Sequence, residues 1–261
     1  MIDDDRLRDE NRERFGARSA DYRVSAVHAG GADLDRLIEL VAPTPDDRAL
    51  DVATGAGHVA VALARAGAAV TASDLTPGML NEAGVNLAAH NLTATLVLAD
   101  AVDLPFAESS FDIVTARMAP HHFPNPRQFV AEVARVLRPG GRFGLEDQVA
   151  PAHPLAAAAI NAFEKGRDPS HHRQLPIDEW TSLIEASGLV VRHAECFDKP
   201  IEFDWRTSIQ NASAETRQAI SAILANGPAE ARDWYRPEFA ADGLVARFRS
   251  PHLLLLATRP A

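Results

Sequence analysis

ALDVATGAGHVA, residues 49–60, is the stretch that decides how this chain is read. Residues 49–53 make a short apolar run, Gly55 and Gly57 follow, and an alanine-rich helical pattern runs from His58 to Ala66. A strand, a glycine turn and a helix in that order present backbone N–H groups at a helix start, facing the carboxyl end of the strand. The alternation continues outward. AVTASD (69–74) reads as a second strand, and Pro77 opens a second helix at a favoured first-turn position. TLVLA (95–99) and FDIVTA (111–116) read as the third and fourth strands, a helix spans about 129–137, and RFGLE (142–146) reads as the fifth strand. Strands alternating with helices predict a parallel sheet with helices on both faces. Upstream, Leu34, Leu37, Ile38 and Val41 recur at helical spacing. Downstream, the pattern predicts helices over 177–187 and 214–225, a strand over 189–195 and a final buried strand over 252–257.

The chain has 261 residues and a formal net charge of −10, which argues against general binding to nucleic acid, because phosphate neutralisation needs a basic surface. The charged first residues contain no apolar run of the signal-peptide kind, and no apolar stretch is long enough to span a bilayer. The single cysteine, Cys196, rules out an internal disulfide and fits a cytoplasmic location. Residues 1–32 read as an N-terminal arm and lid helix, and 33–261 as one α/β domain. Two added segments, 149–176 and 198–251, are expected to cover the acceptor site.

The glycine loop alone does not choose a ligand, since G-x-G-x-x-A fits a dinucleotide equally well. Three carboxylates narrow the choice. Asp51, at the end of the first strand, would repel a pyrophosphate but attract an ammonium group. Asp74, ending the second strand, is placed to accept from two ribose hydroxyls. Asp100, just past the third strand and followed by Ala101, is placed to accept from an adenine amino group, with Leu75 and Met79 as apolar contacts. An acidic adenosine site suits S-adenosylmethionine, which carries a sulfonium and no phosphate. Taken singly, Asp51 is equally a capping acid and Asp100 a turn residue.

The segments LDVATGAG (50–57), SDLTPGML (73–80), DAVDLPF (100–106), SFDIV (110–114) and VLRPGG (136–141) resemble class I S-adenosylmethionine-dependent methyltransferases. They are most similar to the ubiquinone/menaquinone-biosynthesis-like group and its small-molecule relatives. The resemblance is dense over residues 50–146. It implies a Rossmann-like three-layer sandwich around a seven-stranded, mostly parallel sheet, its last strand antiparallel beside the sixth. It also implies a cofactor held by Asp51, Ala53, Thr54, Gly55, Gly57, Asp74, Leu75, Met79, Asp100, Ala101 and Arg117. Ala53 departs from the pattern, since many relatives carry glycine there, and its methyl constrains the backbone.

Methyl transfer from a sulfonium is an in-line displacement, so the enzyme must chiefly align three atoms and exclude water. A base is needed only for an acceptor that is not already nucleophilic. His121 and His122, after the fourth strand in RMAPHHF (117–123), are the candidate bases; the alternative is that they fill space and order the loop. Tyr22, Asp147, Arg167, His171 and Arg173 are candidate substrate contacts, Arg167 and Arg173 being suited to an anionic group. Against this, Asp168-Pro169-Ser170 is strong turn chemistry, so Arg167, His171 and Arg173 read equally as a helix-end cluster. Neither His-His pair has the spacing that puts two metal ligands on one face, so no metal is expected.

Phe15, Tyr22 and His28 fall in the segment that, by the resemblance, folds over the cofactor. Trp205, Trp234, Tyr235 and Phe239 either line an apolar acceptor pocket or anchor the late segment. The expected partner is a small-molecule methyl acceptor, with no nucleic acid and no membrane insertion, in a monomer or homodimer. Other readings stay open: a cofactor-binding enzyme repurposed for cyclisation or decarboxylation, a nicotinamide dehydrogenase, or a non-catalytic binding protein.

Overall fold

In the computed structural model the described residues are 8, 9, 12, 14–16, 19, 30–203 and 212–261. The order is α1 (Ala32–Val41), β1 (Arg48–Val52), α2 (His58–Arg65), β2 (Ala69–Asp74), α3 (Pro77–Ala89), β3 (Thr95–Leu98), β4 (Phe111–Arg117), a single 3-10 turn (Pro120–His122), α4 (Pro126–Val136) and β5 (Leu137–Gln148). Then come α5 (Pro154–Arg167), α6 (Ile177–Ala186), β6 (Val190–Glu202), α7 (Ala214–Asn226), α8 (Ala229–Tyr235), β7 (Glu238–Phe239) and β8 (Val245–Thr258).

The strands lie in the order β3-β2-β1-β4-β5-β8-β6, with β7 paired to β8. β1 is parallel to β2 and β4, β2 to β3, and β4 to β5. β1 is therefore where the winding reverses, and in such sheets ligands sit outside the carboxyl ends at that switch point. β8 runs antiparallel to β5. Gly140 N donates to Arg259 O at 2.9 Å and Val149 N to Pro251 O at 2.9 Å, so one strand descends as the other rises. The result is the Rossmann-like sheet expected, with its antiparallel strand beside β6.

Local chemistry sets the helices. Leu34, Leu37 and Val41 form the buried stripe of α1. Pro126 starts α4, whose N-cap Asn125 accepts from Gln128 N at 3.0 Å, satisfying a donor the helix cannot.

Three features depart from the sequence expectation. Among the described residues the seven strands expected are joined by an eighth, the two-residue β7, which adds to β8. β6 and β8 are each about twice as long as predicted. β6 alternates exposed and half-buried residues throughout, because an edge strand with no buried face carries no strong hydrophobic period. Within the stretch read simply as an added segment lies the fourteen-residue α5.

The chain divides into two compact units, one of Met1–Asp147, Thr181–Glu195 and Leu254–Ala261, the other of Gln148–Trp180 and Cys196–Leu253. The second unit has its own core, in which Ile160 and Phe163 of α5 meet Ile220 and Leu224 of α7 and Tyr235 of α8. α5, from the first added segment, and α7 and α8, from the second, thus share one core. No helix among the described residues is long and apolar enough to cross a membrane.

Candidate active site

Three of five consecutive residues after β1 are left-handed: Ala53 (φ 52°), Gly55 (φ 54°) and Gly57 (φ 79°). Gly57 is doubly constrained, because a Cβ there would lie 2.9 Å from the Cβ of Ala83 on α3. At Gly55 an added Cβ would meet nothing within 4 Å, so the loop faces open space there. Ala53 carries its methyl in a conformation that costs an L-residue roughly 1–2 kcal/mol.

Side chains on β1, β2 and β4 hold this loop. Asp51 is 1% exposed; its Oδ2 accepts from Thr54 Oγ1 at 2.6 Å and its Oδ1 from Thr115 Oγ1 at 2.9 Å. Burial pushes its carboxyl up to about 6, although both hydroxyls and the nearby Arg117 oppose the rise. Asp74 accepts from Gly55 N and Thr76 N, each at 2.9 Å, which straps the glycine loop to the end of β2. Burial raises its carboxyl too, against the amides that favour the charged form. Just past β3, Asp100 accepts from Val102 N at 3.1 Å and pairs with Arg8 Nε at 2.7 Å. Ala101 and Met79 are buried, and Leu75 is half-buried.

Arg117 ends β4. It pairs with Asp33 of α1 at 2.5 Å and with Glu146 of β5 at 3.2 Å, all three side chains being nearly excluded from solvent. After Met118 (φ 52°) the 3-10 turn carries His121 and His122. His121 Nδ1 lies 2.6 Å from Asp147 Oδ1, and both residues are buried. His122 lies edge-on to Phe15, with ring centroids 5.0 Å apart.

The other candidates are engaged within the second unit. Arg167 meets Glu164 Oε2 through Nη2 at 2.5 Å and Nε at 2.8 Å, and the charges of Glu164 and Asp168 hold its guanidinium protonated. His171 Nε2 lies 2.9 Å from Asn161 Oδ1, while Arg173 pairs with Glu179 at the surface. Trp234 Nε1 donates to Val149 O at 2.9 Å. Tyr22, His28 and Trp205 lie outside the described residues. Among the described residues no three His, Cys, Asp or Glu side chains cluster as a metal would require.

Sequence reasoning left Thr115, Asp33, Glu146 and Arg8 unnamed. Thr115 lies directly opposite Asp51 in the register of β1 on β4, which the structure gives and the sequence does not. Asp33 and Arg8 pair across long sequence separations that no local pattern encodes.

Residues 50–145 match a family model described as a methyltransferase domain. YcgJ of Bacillus subtilis, an uncharacterized methyltransferase, is 33% identical over 226 residues, covering 86% of this chain and 89% of YcgJ. The chain belongs to the methyltransferase family. This methyltransferase superposes on the solved YcgJ structure with a TM-score of 0.82 at 30% identity, over 88% of this chain and 98% of that one. A solved structure from Bacillus halodurans gives a TM-score of 0.83 at 36% identity, over 88% and 100%. Demethylmenaquinone methyltransferase of Clavibacter sepedonicus is 40% identical over 130 residues, covering 50% of this methyltransferase and 53% of that protein.

Proposed function

We propose that this methyltransferase binds S-adenosylmethionine at the carboxyl ends of β1, β2 and β3 and passes its methyl group to an oxygen, nitrogen or carbon of a small organic molecule. The observation that carries the reading is a charge imbalance. Asp51 and Asp74 are buried at the ends of β1 and β2, where hydroxyls and backbone amides rather than directly bonded cations hold them. Buried charge without a counter-charge is costly. A cationic ligand offsets that cost, whereas a pyrophosphate would add to it.

The roles follow from chemistry. The backbone N–H groups of Gly55 and Thr76 fix the Asp74 carboxylate at the end of β2, the position from which it would accept from a ribose hydroxyl. Asp51 sets the negative field for an ammonium group. Asp100 and Ala101 suit the adenine edge, with Leu75 and Met79 against the ring; binding there exchanges the Arg8 nitrogen for the adenine amino group. Ala53, Thr54, Gly55 and Gly57 shape the turn, and Arg117 orders Asp33 and Glu146 beside it. When bound, S-adenosylmethionine supplies an electrophilic methyl carbon on a sulfonium.

Titration calorimetry with S-adenosylmethionine and with a nicotinamide dinucleotide tests the assignment. The first should bind, and Asp74→Ala should weaken it by more than about tenfold, or 1.4 kcal/mol. Unchanged affinity in that variant would mean that the ribose lies elsewhere.

A further inference from the structure

We infer that His121 and Asp147 form a proton-accepting pair, and that the methyl acceptor is therefore a hydroxyl compound, a phenol, enol or alcohol. The inference rests on the methyl-transfer reading above and adds the attacking atom to it.

The pair is assembled from two strands. β4 and β5 run parallel with Arg117 opposite Glu146, so the turn after β4 meets the last residues of β5. That junction brings His121 Nδ1 to 2.6 Å from Asp147 Oδ1, with the carboxylate residue 1% exposed and the histidine 9%. A carboxylate can only accept, so Nδ1 carries the proton, and in the neutral ring the lone pair falls on Nε2. Asp147 also favours the imidazolium once Nε2 has taken a proton, the logic by which an aspartate supports a histidine base. Asp147 is thus a positioning residue, and its place in the sequence reading as a substrate contact gives way to this one. His122 is held differently, edge-on to Phe15.

An oriented base of this kind indicates what it is for. A neutral amine attacks with its own lone pair, and an alkene carbon has no proton to lose before attack. A hydroxyl at neutral pH is a poor nucleophile unless its proton departs as it attacks. In the balanced step, the O–H proton passes to His121 Nε2 as the oxygen bonds to the methyl carbon. The carbon–sulfur bond breaks in line, and its electron pair stays on sulfur, leaving a neutral thioether. The imidazolium later returns the proton to solvent.

Three measurements test this in the intact protein. In wild type labelled with 15N-histidine, the His121 ring should show a protonated Nδ1 and a bare Nε2, a pattern that Asp147→Asn erases. The reverse tautomer overturns the pair. Turnover is then read with S-adenosylmethionine and a panel of phenols, catechols, alcohols, amines and isoprenoids, with 4-methoxyphenol and 4-nitrophenol as opposite ends of phenol acidity. Methylation should fall on oxygen. His121→Ala should lower kcat on the weakly acidic phenols by about 100-fold, at the low end of general-base effects, with KM little changed. The loss should shrink below about tenfold for 4-nitrophenol, which ionises unaided. Asp147→Asn should follow the same pattern and Asp147→Glu should recover part of it. A uniform loss across the phenols, an equal loss in His122→Ala, transfer to nitrogen or carbon in preference, or no transfer to any hydroxyl compound overturns the proposal. Calorimetry on the same variants separates the two readings: each should bind S-adenosylmethionine as wild type does. Failure of wild type to bind would break the cofactor reading instead.

Discussion

Asp51 and Glu164 are both fully buried carboxylates, one in each compact unit, and their surroundings are opposite. Glu164 takes both hydrogen bonds of the Arg167 fork and one from Tyr235 Oη at 2.9 Å, and Gln174 Nε2 donates to that same Oη at 2.8 Å. Burial beside the Glu164 charge pushes the Tyr235 phenol well above its usual range, so it stays a donor. Asp51 has two hydroxyls and the more distant charge of Arg117, and its own carboxyl is the group that shifts, to about 6. The second unit spends its buried acid on a closed network that ties α5 to α8 and to Gln174 in the loop after α5. The first leaves its acid with no directly bonded cation, the state expected of a site that awaits one.

Breaking the closed network should give the largest effect. Glu164→Ala strands the Arg167 charge and the hydroxyl of Tyr235, and should cost about 3 kcal/mol, read as a fall in Tm or in the denaturant midpoint. Asp51→Asn should do the reverse. Removing an uncompensated charge should leave Tm unchanged or higher, while affinity for S-adenosylmethionine falls more than about tenfold. A fall in Tm comparable to that of Glu164→Ala would erase the contrast drawn here.

The pH dependence sharpens the same contrast. Because the folded value of Asp51 lies above 3.8, its contribution to stability without ligand is full below that pH and is lost as pH rises through about 6. A cation prefers the carboxylate, so affinity for S-adenosylmethionine should strengthen over that window and level off above it. Calorimetry between pH 5 and pH 8 should show this slope in wild type and a flatter one in Asp51→Asn. The smallest effect belongs to Ala53→Gly. Relief of the left-handed alanine should exceed the added freedom of the unfolded chain, for a gain of about 0.5 kcal/mol and a slight rise in Tm.

The contrast also explains what could be read beforehand. The parallel half of the sheet and its glycine loop were legible because strand, turn and helix are contiguous and their residues are special: Gly55, Gly57 and the acids at strand ends. In the second unit α7 was legible as a helix over 214–225, but α5 (PLAAAAINAFEKGR) was not, because it sits in a stretch dominated by alanine and turn residues, nor was the full length of β6, which lies at an edge with neither face fully buried. Arg167 could be seen as a charge near a turn. That its partner is Glu164, three residues back, follows from helical spacing once α5 is known. The pairing of His121 with Asp147 needed the register of β4 on β5, which no local window contains.

The position of β8 bears on how the molecule is made. β8 lies between β5 and β6, so β6 emerges from the ribosome with no neighbour to pair with until residues 245–258 follow it. The early strands can assemble as they are synthesised, while the sheet closes only when this late strand is inserted between two that already exist. During that interval the facing edges of β5 and β6 expose unpaired backbone, the surface by which nascent sheets aggregate. Arg259 then ties the end of β8 to the neighbouring strand and helix, donating to the carbonyl of Leu137 at 2.6 Å and that of Ala134 at 3.0 Å, so the strand that fills the gap also carries its own clasp.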